Sequence, residues 1–207
     1  MEDDMVDGPI DYDEWLRKYS EIWQYYPADV DWPRVLLWDL RHRMSGELLG
    51  RAIHDLWITI NDGLVQLPGV TFPDPDNDQK LTRLRPDEWR VLFAEAGYLS
   101  VENDELADRG VCELPRTLYR YSERMSRLGW AWTTTYEDAV QYRVDYKPEI
   151  RDGCVWKVDN VDPSRLLAHY HDRGRTIAGL PAYEDEYVYD PHDSEVLVGP
   201  DSCDIET

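Results

Sequence analysis

The chain has 207 residues, of which 42% are hydrophobic, and this is enough for one globular domain, or for one domain with a sizeable appendage. Its 43 acidic and 22 basic residues leave a formal net charge of −21, a field that repels phosphate backbones and anionic membrane surfaces. Nucleic acid and membranes are therefore disfavoured partners, and the oligomeric state stays open.

The N-terminal sequence and the cysteines indicate a compartment. The opening residues MEDDMVDGPI lack the basic and apolar regions of a signal peptide, and no apolar run approaches the length of a membrane span. The cysteines Cys112, Cys154 and Cys203 have no framework spacing. We therefore expect a protein with free thiols that works in a cytoplasm, that of a host cell included.

Apolar residues in the first half recur with the period of a helix. The series that begins at Trp15 predicts a first helix, which ends in the sequence YYPADVDWP. Asp31 and Pro33 have the character of a helix cap and a first-turn proline, and a second apolar series follows them. Its spacing predicts one long or once-broken helix, with Gly46 and Gly50 as the weak points.

A loop separates these helices from a third one. The sequence LPGVTFPDPDND, at 67–78, has the proline, aspartate and asparagine content of a loop. The sequence RPDEWRVLFAEAG predicts a short amphipathic helix, with Pro86 near its start and Gly97 just past its end. The segment SVENDELADRG after it is polar and indicates a connector.

The pattern changes to strands near residue 114. The sequences TLYRYS, GWAWTTT and CVWKVDN predict strands, and YEDAVQYR predicts a helix before the last of these. Asp162 and Pro163 predict a single helical turn, and DEYVYD and SEVLVG predict the final strands. Helices followed by strands indicate an α+β protein. We expect a helical region, 1–110, packed on a β-rich core, 111–200, with an acidic tail at 201–207.

Three motifs of the second half stand in an order that resembles the ADP-ribosyltransferase superfamily, in the branch with an Arg–Ser/Thr–Glu triad. A strand ends in the arginine of LYR, a later strand carries the hydroxyls of WAWTTT, and a final strand opens with EDEYVY. The resemblance covers about 114–199 and implies a split β-sheet core. The residues that match the family motifs are Arg120, Thr133, Thr134, Thr135, Glu184 and Glu186.

The resemblance implies NAD as the substrate and a role for each motif. Glu186 is expected to stabilise the cationic transition state of nicotinamide loss, and Glu184 to position or deprotonate the acceptor. Arg120 is expected to pair with the pyrophosphate through its guanidinium fork. One of the threonines would orient Glu186, and which of them points inward stays open. The aromatic residues expected to stack on nicotinamide are Trp132, Tyr136 and Tyr187.

The predicted activity is therefore NAD-dependent transfer of ADP-ribose to an acceptor such as a protein. Two alternatives stay open: hydrolysis of NAD, with water as the acceptor, and a non-catalytic acidic interaction protein that retains the fold. Because strand side chains alternate, Asp185 is expected to face away from both glutamates.

The histidines of the second half are a possible metal signal. His169 and His171 would share a face on a strand, and His192 follows later in the chain. Because no cysteine or acid spacing of a zinc site accompanies them, we interpret them as polar loop residues and predict no metal site.

Overall fold

A computed structural model describes residues 8–25, 31–59, 84–102, 105–106, 114–146, 153–177 and 180–199 of the chain. They belong to two compact units, of which the first ends at Gly97 and the second begins at Tyr98. The first unit is helical and the second holds the strands, so the α+β class is confirmed. The division falls ahead of the expected boundary at 110 because short strands after Gly97 join the sheet of the second unit.

The described part of the first unit consists of helices around an aromatic core. Its elements are α1 (Tyr12–Tyr25), a π-helical turn (Arg34–Trp38), a 3₁₀ turn (Arg41–Arg43), α2 (Gly46–Thr59) and α3 (Pro86–Ala96). Trp15 of α1 is fully buried, and its indole N–H donates to the main-chain oxygen of Leu36 at 3.0 Å. In the same core, the ring of Trp57 meets Trp89 edge-on at 5.5 Å between centroids.

The second apolar series forms a broken helix, and Ser45 accounts for the break. Met44 is extended, with φ −101° and ψ 144°, so the chain leaves the helical region there. The hydroxyl of Ser45 then accepts the main-chain N–H of Leu48 at 3.1 Å and caps the start of α2. The glycines were the expected weak points, but Gly46 begins α2 and Gly50 lies inside it.

The second unit contains a five-stranded and a three-stranded sheet. Its elements are β1 (Leu99–Glu102), β2 (Glu105–Leu106), β3 (Thr117–Glu123), β4 (Ala131–Trp132), α4 (Tyr136–Tyr146), β5 (Gly153–Asp159), β6 (Leu166–Ile177), β7 (Leu180–Tyr189) and β8 (Val196–Val198). The larger sheet has the order β2-β1-β6-β7-β4, and the smaller has the order β3-β5-β8. Only β1 and β6 run parallel among these described pairs.

A bridge and a shared core join the two sheets. The main chains of Tyr119 and Thr133 exchange two hydrogen bonds, at 2.7 and 2.8 Å, where β3 passes the end of β4. Side chains of both sheets meet in one buried cluster, which includes Leu118, Trp132 and Tyr187. On the other side of β3 and β5, α4 packs through Ala139 and partly buried neighbours.

Two expectations about strands are wrong. The segment after Gly97 was expected to be a polar connector, but it forms β1 and β2. The segment around His169 and His171 was expected to be a loop, but it forms the long strand β6, which pairs with β7. The helical turn at Asp162 is confirmed, since its carboxylate accepts the main-chain N–H of Ser164 at 2.9 Å.

Cys154 corrects the expectation of free thiols, because it is disulfide-bonded. Cys112 and Cys203 lie outside the described residues. Disulfides persist in oxidising compartments, so the cysteines no longer support a cytoplasmic site of action. Among the described helices, none has the length and apolar character to cross a bilayer.

Candidate functional site

The hairpin of β6 and β7 presents different chemistry on its two faces. Register pairs Tyr170 with Glu186 and His171 with Asp185. Because side chains alternate along strands, these two pairs lie on opposite sides of the sheet. We call the side with Glu186 and Tyr170 the glutamate face. The side with His169, His171, Asp185 and Tyr187 is the histidine face. The expectation that Asp185 faces away from Glu186 is thereby confirmed.

Glu186 is half-buried on the glutamate face beside a buried tyrosine. Tyr170 is 2% exposed, and the pKa of its hydroxyl is raised well above the usual value, first by burial and then by the charge of Glu186. The phenol therefore stays protonated and neutral next to the carboxylate. Position 184 lies two residues earlier on the same strand and pairs with Asp172.

Thr133 comes next to Glu186 by strand register. β4 and β7 pair Trp132 with Tyr187, where β4 ends. Continued by one position, this antiparallel register would set Thr133 opposite Glu186, on the glutamate face. The Oγ1 of Thr133 is buried and makes no hydrogen bond within the described part of the chain. Tyr119 pairs with Thr133 on its other side.

The other two threonines have different surroundings. Thr135 is exposed and caps α4, because its hydroxyl accepts the main-chain N–H of Asp138 at 3.1 Å. Thr134 is half-buried between these two positions. Thr133 is therefore the threonine that the strand pairing brings to Glu186. Tyr136, the first residue of α4, meets the ring of Tyr119 edge-on at 6.2 Å, close to Thr133 in the chain.

Arg120 is engaged by the loop between β3 and β4. Its Nη1 donates to the main-chain oxygen of Ala131 at 2.8 Å, and its Nε donates to that of Ser126 at 3.3 Å. A Cβ added at Gly129 would lie 2.4 Å from its Nη2. Alternation from Tyr119 places Arg120 on the opposite side from Thr133 and Glu186. The structure thus gives Arg120 a loop-holding contact and does not bring it to Glu186.

Two of the aromatic residues expected to stack on nicotinamide belong to the core. Trp132 is 2% exposed, and its indole N–H donates to the main-chain oxygen of Gly129 at 2.7 Å. Tyr187 is 6% exposed and packs in the same cluster. This corrects the expectation for Trp132 and Tyr187, because both point away from the glutamate face. Tyr136 is half-buried and stays a candidate.

The histidine face holds a close group of three ionisable side chains, those of His169, His171 and Asp185. The Nε2 of His169 lies 2.6 Å from the Oδ1 of Asp185, and the Nδ1 of His171 lies 3.5 Å from the same oxygen. The ring of His169 also stacks on Tyr187, with centroids 4.0 Å apart and planes at 9°. The hydrogen bond from His169 holds the pKa of the Asp185 carboxyl below its usual value, against the effect of burial.

The sequence indicated the two histidines of this group but not its carboxylate. Two histidines spaced i, i+2 share a face on any strand, and β6 is such a strand. Asp185 could not be recognised as their partner, because it comes from a neighbouring strand and lies 16 residues from His169 in the chain. Such a partner becomes visible only when the register of β6 on β7 is known.

Comparisons with known proteins add no assignment to this geometry. No protein-family model, no curated protein and no solved structure matches the chain.

Proposed function

We propose that the chain is an NAD-dependent ADP-ribosyltransferase whose reaction takes place on the glutamate face, with Glu186 as its central residue. The observation that carries the proposal is the pairing of Trp132 with Tyr187, because this register, continued by one position, sets Thr133 opposite Glu186. This places a hydroxyl and a carboxylate, the two groups that the resemblance implies for the reaction, at adjacent positions on one side of a sheet.

The order of the strands also supports the proposal. The strand with Arg120, β3, passes the end of β4, and β4 pairs with β7, which carries Glu186. The three motifs of the resemblance, although they are distant in sequence, thus lie on successive strands. The two sheets joined at the bridge of Tyr119 and Thr133 are compatible with a split-sheet, ADP-ribosyltransferase-like core.

Glu186 has surroundings suited to the chemistry of nicotinamide loss. The bond between C1 of the ribose and the nicotinamide nitrogen breaks with its electron pair leaving on the nitrogen, and the ribose develops oxocarbenium character, as in glycoside cleavage. A carboxylate beside the ribose stabilises that charge. The acceptor then forms a bond to C1 and gives up its proton, for which Glu184 is the proposed base.

Thr133 and Tyr136 are the proposed supporting residues. The Thr133 hydroxyl is buried and makes no hydrogen bond among the described residues, so it is available to hold the carboxylate of Glu186 in one orientation. Tyr136 is the aromatic candidate for contact with nicotinamide, because it is half-buried and contacts Tyr119, the neighbour of Thr133. Thr134 and Thr135 are not needed for either role.

The proposal is tested by incubating the purified full chain with NAD labelled in its adenylate part. Nicotinamide release and transfer of label to proteins of a lysate are both followed. Glu186→Gln is expected to lower release by about 100- to 1,000-fold, as for loss of a well-placed charge-stabilising group. Thr133→Val is expected to lower it by about 10- to 100-fold, as for loss of a supporting hydrogen bond. Glu137→Gln, at an exposed glutamate of α4, is the matched control and should change neither.

The outcomes separate the alternatives. Release without transfer to any acceptor identifies an NAD hydrolase. Absence of release, together with absence of NAD binding in calorimetry, rejects the enzyme and favours an interaction protein. If Glu186→Gln releases nicotinamide as fast as Glu137→Gln does, the assignment of the glutamate face is wrong.

A further inference from the structure

The histidine face has a feature that the proposed function does not use. His169, His171 and Asp185 each offer one donor atom, and these atoms all lie within 4.8 Å of one another. Two imidazoles and one carboxylate are a set of ligands that binds first-row transition metals in many proteins. We propose that these three residues form a binding site for a divalent transition-metal ion.

The distances between the donor atoms fit such an ion. Nitrogen and oxygen ligands at 2.0 to 2.2 Å from a metal stand about 3 to 3.5 Å from one another. The carboxylate oxygen of Asp185 lies 2.6 Å from His169 and 3.5 Å from His171. Small rotations of the side chains therefore suffice to place an ion between the three.

The site is built on rigid elements. All three ligands come from β6 and β7, whose register pairs His171 with Asp185 directly. The ring of His169 is held by its stacking on Tyr187, a core residue that is 6% exposed. Ligands that are fixed before the metal arrives lose little conformational freedom on binding.

The three side chains are only partly buried, so an ion can reach them from solvent. The side chains of His169, His171 and Asp185 are 13%, 18% and 18% exposed, so they are shielded from bulk water without being sealed. The net charge of −21 also raises the local concentration of cations around the molecule. Three protein ligands leave at least one position on the ion for water or another ligand.

The ligand set selects the class of metal. Magnesium and calcium prefer oxygen ligands alone, whereas imidazole suits zinc, iron, nickel and copper. The site lies on the opposite side of the sheet from Glu186, so binding of the ion is expected to be independent of the reaction proposed there.

Zinc titration of the full chain tests the proposal. The protein is freed of metal with a chelator, and Zn²⁺ is added in calorimetry against a competing chelator of known affinity. We expect one tight site per chain. His171→Gln and Asp185→Asn should each weaken binding at least tenfold, whereas His192→Gln, at an exposed histidine outside the group, should leave it unchanged. Circular dichroism without metal shows whether each variant folds.

If the variants do not fold, the proposal is tested by a measurement on the unsubstituted protein. The chain has 5 histidines, and Zn²⁺ should shift the ring signals of two of them, His169 and His171, in nuclear magnetic resonance spectra. Absence of saturable binding overturns the proposal. So does unchanged affinity in both folded variants, or a Co²⁺ spectrum with the charge-transfer band of a cysteine ligand.

Discussion

Replacing Arg120 with lysine tests which of two roles this arginine has. It either holds the loop between β3 and β4, as its hydrogen bonds indicate, or binds the pyrophosphate of NAD, as the sequence suggested. The guanidinium donates to two main-chain oxygens, of Ala131 at 2.8 Å and of Ser126 at 3.3 Å. A hydrogen bond from a charged group contributes about 1.5 to 3 kcal/mol, and the longer of these two bonds contributes little. Because lysine keeps the charge but cannot form both bonds, we expect a loss of about 1 to 2 kcal/mol.

In a chain of 207 residues this loss corresponds to a fall in Tm of about 2 to 8 °C. Thermal unfolding followed by circular dichroism measures it, and calorimetry measures the Kd for NAD on the same samples. Arg116→Lys, at an exposed arginine just before β3, is the matched control and should change Tm by less than about 2 °C. The Kd for NAD of Arg120→Lys should stay within about twofold of that of the unsubstituted protein, because the guanidinium binds main-chain oxygens of the loop.

A second substitution tests the same contact from the other side. A Cβ at position 129 would lie 2.4 Å from the Arg120 Nη2, so Gly129→Ala should displace the guanidinium and cause a similar fall in Tm. The two changes together should cost little more than either alone, because both remove one contact. If Arg120→Lys keeps the Tm of Arg116→Lys and weakens NAD binding tenfold or more, the loop-holding role is wrong and the phosphate contact is right.

Two further predictions concern stability in other parts of the chain. Glu88→Gln should cost about 2 kcal/mol, because the buried carboxylate accepts Arg34 at 2.9 and 3.0 Å. Burial raises the pKa of Glu88, but the bonds from the Arg85 main chain and from Arg34 outweigh it, so its pKa is lowered. This stabilisation is fully present above the ordinary pKa of about 4.3 and is lost as pH falls through the lowered one, so the difference in Tm should shrink progressively as the pH falls below about 4.3. Thr135→Val should cost about 1 kcal/mol in thermal unfolding by removing the cap of α4, and an unchanged Tm would contradict the cap.

The helices were predictable because their signals are local. Pro86 lies at the start of α3, and Glu88 accepts the main-chain N–H of Arg85 at 2.8 Å, which closes its first turn. Gly97 ends the helix with φ 80°, a conformation that favours glycine. Each of these features depends on residues within a few positions of one another, so the sequence alone contains them.

The missed strands depend on partners that are distant in sequence. β1 has four residues and pairs in parallel with β6, which follows about 65 residues later, and nothing within its own LSVE indicates that partner. β6 itself has the sequence LLAHYHDRGRTI, in which polar residues stand at successive positions, so it lacks the alternation of apolar and polar residues by which strands are recognised. Pairing with β7 stabilises it where its composition does not.

The sequence predicted on which side of the strand each carboxylate of the candidate site lies, but not which residues surround it. Period two places Glu186 on one side and Asp185 on the other, whatever the fold. Only the register of the paired strands shows that Asp185 meets the two histidines, and only its continuation past Trp132 brings Glu186 opposite Thr133. A shift of β7 by one residue would exchange the two carboxylates between the faces and remove both groups at once.

The bulky side chains of β7 fix this register. Tyr187 and Tyr189 are 6% and 0% exposed and fill the core between the sheets, whereas Val188 is fully buried on the glutamate face. A one-residue shift would turn both tyrosines out of that core, and burying a large side chain is worth about 1.5 to 3 kcal/mol. Burial of the tyrosines that follow the acidic residues therefore fixes the side of the sheet on which each acidic residue lies. Asp185 faces the histidines and Glu186 faces the threonine because the tyrosines that follow them can be buried in only one register.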